Sequence, residues 1–87
     1  MSHNSDYSVK QMLQTGTPLA DIAHVDASRR GLRIIGMAQV NPNALLIGYA
    51  EPTGQMLVAY FDNVEGFDFI DYVSSEEEIS DYINPNF

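Results

Sequence analysis

Eight carboxylates fall between residues 62 and 81: Asp62, Glu65, Asp68, Asp71, Glu76, Glu77, Glu78 and Asp81. Acids at this density serve metal coordination, general acid–base catalysis or the electrostatic recognition of a cationic partner. A calcium loop needs oxygen ligands at alternating positions, a glycine at the sixth and a glutamate at the twelfth. With Gly66 as the sixth residue the first ligand would be Phe61, whose ring has no donor atom. A catalytic carboxylate pair needs two acids of different pKa, one of them usually in an apolar pocket. Asp68 and Asp71, interleaved with Phe67, Phe69 and Ile70, are the only acids set in hydrophobic sequence. No glycine-rich phosphate loop, nucleophile elbow or Ser/His/Asp grouping accompanies them. The two histidines, His3 and His24, are far apart, and His24 and Asp26 point to different sides of a helix. The expectation is a non-enzymatic protein with no metal site and no cofactor. Recognition remains.

The bases sharpen that reading. Lys10, Arg29, Arg30 and Arg33 are the only four, and the 54 residues after Arg33 contain none, against nine acids. The first part of the chain is near neutral, and the whole carries a net charge of -8. Such a field repels nucleic acid and anionic membrane and attracts basic protein surfaces. Acids in the first turn of a helix have a local reason, because they complement the helix dipole. Turns account for others. A missing set of bases has no such local reason, since a surface built for solubility mixes both signs. An acid-rich, salt-adapted proteome is the competing explanation.

At 87 residues the chain has room for one domain with one modest core, and 45% of its residues are hydrophobic, which argues against disorder. It has no cysteine, hence no disulfide framework and no thiolate metal site. Residues 1–6 lack the basic and apolar regions of a signal peptide. The longest apolar runs, of about seven residues, fall well short of the ~20 that span a bilayer. A soluble, cytoplasmic protein is expected.

The elements that must position the acids follow from periodicity. Residues 1–6 read as a tail and 7–87 as a single α+β domain. Residues 7–14 suit a short helix capped by Ser8 and stopped by Gly16. A second helix is expected to start with Thr17 as cap and Pro18 at the first helical position, with Leu19, Ile22, Ala23 and Ala27 as its buried stripe. Arg29 and Arg30 occupy its last turn and Gly31 its C-terminal cap. Its Ile22-Ala23 and Ser28-Arg29-Arg30 loosely resemble a helix-turn-helix, but Ala27 stands where the turn glycine belongs and the charge opposes DNA binding. Residues 32–40, 44–50 and 55–62 alternate as strands, broken at Asn41-Pro42-Asn43 and Glu51-Pro52-Thr53-Gly54, and predict an antiparallel meander. Residues 67–73 fit a fourth strand better than a helix, although Phe67, Ile70 and Val73 also recur at helical spacing. Ser75 and Glu78 form a capping-box pair that opens a C-terminal helix carrying Ile79, Tyr82 and Ile83. Apolar residues on both strand faces leave one face for helices and the other for light cover or association.

Three function classes follow. The first is a binding protein whose partner-binding residues are the eight acids and whose target is a basic protein surface. Its most concrete form is a nucleic-acid mimic that blocks a nucleic-acid-processing or defence system. In size and charge alone the chain resembles the small acidic inhibitors of phages and mobile elements, such as anti-restriction and anti-CRISPR proteins, a resemblance that no motif carries. The second is an immunity protein or antitoxin against a basic toxin. The third is a structural module that forms a homodimer through Tyr49, Met56 and Tyr60.

Overall fold

The structure is a computed structural model and describes residues 16–83. The expected tail (1–6) and the helix at 7–14 lie outside the described residues. Helix α1 (Leu19–Arg30) leads into strands β1 (Arg33–Asn41), β2 (Ala44–Ala50), β3 (Met56–Asp62) and β4 (Gly66–Val73), and helix α2 (Glu76–Ile83) follows. The strands form one antiparallel sheet in the order β1-β2-β3-β4, so each pairs with its neighbour in sequence. This is the expected α+β meander, with one N-terminal helix among the described residues.

Helix α1 begins one residue later than expected. Pro18 occupies the N-cap with an extended ψ of 136°, and its carbonyl accepts from the N–H groups of Asp21 and Ile22 at 3.0 and 3.1 Å. The C-terminus is as the sequence implies. Gly31 takes a left-handed φ of 73°; its N–H reaches the Ser28 carbonyl, and the N–H of Leu32 reaches that of Ala27 at 2.8 Å. This pair of bonds is a Schellman closure, and the positive φ suits glycine. The helix runs unbroken from Leu19 to Arg30, with no turn at Ala27.

The sheet is covered on both faces, one helix to each. Under α1, Ile22, Ala23 and Ala27 pack against Leu45, Ile47 and Tyr49 of β2 and Leu57, Ala59 and Phe61 of β3. Under α2, Ile79 packs with Val58 and Val73, and Met56, Leu46, Ile35 and Ile83 join them. The expectation that the second face stays lightly covered is therefore corrected, because α2 folds back across it. Two glycines make the fit. Gly36 and Gly48 pair across β1 and β2, and a Cβ on Gly48 would stand 3.0 and 3.1 Å from the Cδ1 and Cγ1 of Ile79. A Cβ on Gly36 would lie 3.1 Å from the Cδ1 of Ile83. Their missing side chains form the floor that lets the helix approach the sheet backbone. Burying Ile79 there is worth ~1.5–3 kcal/mol.

Strand β4 contains one irregularity with consequences for the site. Val58 pairs with Asp71, but its neighbour Ala59 pairs with Phe69, leaving Ile70 as an extra residue. This β-bulge resets the alternation of faces. Phe67, Phe69 and Tyr72 thereby lie on the α1 side, opposite Phe61, Ala59 and Leu57. Asp68, Asp71 and Val73 lie on the α2 side, opposite Tyr60, Val58 and Met56. The three residues at helical spacing, Phe67, Ile70 and Val73, share no face: Phe67 lies on the α1 side, Val73 on the α2 side, and Ile70 is the exposed extra residue.

Candidate functional site

The eight acids divide into two groups. Six are exposed: Glu65, Asp68, Asp71, Glu76, Glu77 and Asp81. Asp62 and Glu78 are partly buried, and both are engaged with nearby backbone. Asp62 ends β3, and its Oδ1 accepts the N–H groups of Val64 and Glu65 at 2.9 and 2.7 Å, closing the turn into β4. The bond from Glu65 is the main cause that holds its carboxyl below the usual aspartate range. Gly66 completes that turn at φ 77°.

Glu78 serves the start of α2. The Ser75 hydroxyl accepts the N–H of Glu78 at 3.3 Å, as the N-cap of a capping box should. The return contact falls one residue earlier than the pattern prescribes. The Glu78 carboxylate takes the hydroxyl and the N–H of Ser74, the latter at 2.9 Å, and the Ser74 hydroxyl is the larger cause lowering its pKa. Asp62 and Glu78 therefore organise a turn and a helix start.

The exposed six lie on consecutive elements of the chain. Glu65 sits in the β3–β4 turn, Asp68 and Asp71 lie along β4, Glu76 and Glu77 open α2, and Asp81 follows one turn later. Among the described residues β4 pairs only with β3, so it is an edge strand. The β3 partners of Asp68 and Asp71, Tyr60 and Val58, are two residues apart, which places these two acids about 7 Å apart along the strand. Without the bulge they would project to opposite faces. Both are open to solvent, not enclosed in an apolar pocket of the kind that would split a catalytic pair.

The same edge carries apolar surface on its other side. Phe69 and Tyr72 remain 47% and 50% exposed and meet at a tilt of 58° with 4.9 Å between ring centroids, and Ile70 in the bulge is 42% exposed. In comparison with known proteins, no family model, no curated protein and no solved structure matches the chain.

The residues expected for self-association are dispersed. Tyr49 is fully buried beneath α1, with its ring 5.6 Å from that of Phe67, and is withdrawn from that set. Met56 and Tyr60 lie on the opposite face, where Met56 packs with the α2 cluster. The hydroxyl of Tyr49 has no hydrogen-bond partner among the described residues, and burial first, then the charge of Asp26, raises its pKa far above the usual tyrosine value.

Sequence reasoning missed the cluster around it. Buried Asp26 accepts from Nε of Arg30 at 2.7 Å, and the guanidinium lies 4.2 Å over the ring of Phe67. The spacing of Asp26 and Arg30, one helical turn, was the available signal. Arg30 thus ties α1 to β4. No helix among the described residues is long and apolar enough to cross a membrane.

Proposed function

We propose that the chain is a non-catalytic binding protein that docks the face shared by β4 and α2 onto a basic protein surface, and that its target is a nucleic-acid-binding protein whose groove it occludes. One observation carries this reading: the bulge at Ile70 turns Asp68 and Asp71 to the same exposed face of the sheet, the face that α2 covers. Asp62 and Glu78 have work inside the fold, holding a turn and a helix start through local backbone contacts. The other six have no described hydrogen bond that explains their placement, apart from Asp71, whose Oδ1 accepts the N–H of Tyr72 at 2.8 Å. Carboxylates about 7 Å apart on an extended strand offer a basic groove a row of negative charge in place of phosphates. An electrostatic field of one sign would also speed the encounter.

The test is capture from host lysate at ~50 mM salt with the full chain and with the variant Asp68→Asn/Asp71→Asn/Glu76→Gln/Glu77→Gln. The reading expects basic proteins retained by the wild type, lost by the variant, released by ~200 mM salt, and stripped of bound oligonucleotide by the wild type. Retention of the same proteins by both forms contradicts it. A retained basic toxin that binds no nucleic acid would replace mimicry with neutralisation of a toxin.

A further inference from the structure

The edge of β4 joins three features that no other described strand combines. It has one side unpaired among the described residues, an exposed pair of tilted, contacting aromatic rings on the α1 face, and two exposed acids on the α2 face. An unpaired edge presents backbone donors and acceptors to any strand of matching pattern. We infer that β4 receives an extended segment of the partner as a fifth strand, with basic side chains alternating with apolar ones. The basic positions would meet Asp68 and Asp71, and the apolar positions would cover Phe69 and Tyr72. This inference rests on the reading of the acidic face above and adds the form in which the partner binds.

Charge decides between this occupant and a second copy of the chain. Antiparallel pairing of two β4 edges would set Asp68 and Asp71 of one copy beside the same acids of the other, and like charges facing across strands are destabilising. The edge is also guarded. Ile70 bulges out of register, and Asp71 holds the N–H of Tyr72 with its own carboxylate. Both devices restrain indiscriminate pairing. A basic residue arriving opposite Asp71 draws that carboxylate away and frees the Tyr72 N–H, so Asp71 acts as a latch that a cationic strand opens.

The test titrates the isotope-labelled full chain with a peptide of about ten residues alternating lysine and valine, a length typical of strands. A second peptide of identical sequence carries N-methyl groups on every other residue. The inference expects the first peptide to slow amide exchange in residues 66–72, and the N-methylated peptide to bind about tenfold more weakly, a loss of about 1.4 kcal/mol. It also expects Phe69→Ala/Tyr72→Ala to weaken binding of the first peptide at unchanged salt dependence. Equal binding of the two peptides overturns strand addition and leaves the acidic-face reading standing. Binding that is insensitive to both salt and Asp68→Asn/Asp71→Asn overturns the acidic-face reading itself. Dimerisation of the chain alone through residues 66–72 overturns the choice of occupant.

Discussion

Asp62 and Glu78 belong to the same acidic run as Asp68 and Asp71, yet their work is internal. Replacing Asp62 with alanine removes two backbone contacts from the β3–β4 turn and should cost about 1 kcal/mol in urea unfolding at neutral pH. Its folded pKa lies below the ordinary 3.8, so its contribution is complete above that value and disappears as pH falls through the lower folded value. The difference between wild type and Asp62→Ala should therefore shrink in acid, and a difference that persists well below pH 3.8 would exclude the carboxylate as its source. Tyr49→Phe tests the buried hydroxyl. With no partner among the described residues, that group costs free energy, and its removal should raise stability by about 1 kcal/mol. A loss of similar size would reveal a hydrogen bond. Residue chemistry of this kind was half legible in sequence. The capping pair Ser75–Glu78 could be read directly, whereas the seclusion of Tyr49 depends on α1 lying over β2, a contact between distant segments.

Among the elements, α2 depends on the glycine floor of β1 and β2. Gly48→Ala inserts a methyl group against Ile79, which is itself fully buried and cannot move aside. Overpacking of this kind costs about 1–3 kcal/mol, and each kcal/mol lowers the melting temperature of a domain this size by about 4–8 °C. Adding Ile79→Ala should recover part of the loss, and strict additivity of the two substitutions in thermal melts would contradict direct contact. Alternation and turn residues revealed the meander because both signals are local. The destination of α2 was not legible, since a capping box marks where a helix starts and not which face it covers. Gly36 and Gly48 were the signal: a glycine inside a strand often marks the close approach of another backbone. The bulge at Ile70 was hidden for a related reason. One inserted residue breaks the period of two, so that Phe67 and Phe69 share their face with Tyr72 and not with residue 71.

The whole molecule is electrostatically lopsided. The described arginines sit at the end of α1 and the start of β1, while six exposed acids occupy β4, its turn and α2, and a seventh, Asp21, lies in the first turn of α1. Self-repulsion among those acids lowers stability, and screening relieves it over a distance of about 10 Å at 0.1 M salt. The urea midpoint should rise with added sodium chloride, and Asp68→Asn/Asp71→Asn should raise it most at low salt. An unchanged midpoint would mean that the acids are too far apart to interact. A rise of that kind would support the proposal that the face meets a basic partner. The most direct measurement of the proposed docking is the affinity of the chain, between ~50 and ~200 mM salt, for a basic protein captured from lysate, compared with that of Asp68→Asn/Asp71→Asn. A steep fall for the wild type, over a range in which phosphate-type contacts lose orders of magnitude, with a shallower slope for the variant, is the predicted result. An affinity that ignores salt, or identical slopes for the two proteins, would contradict the docking of this face on a basic surface.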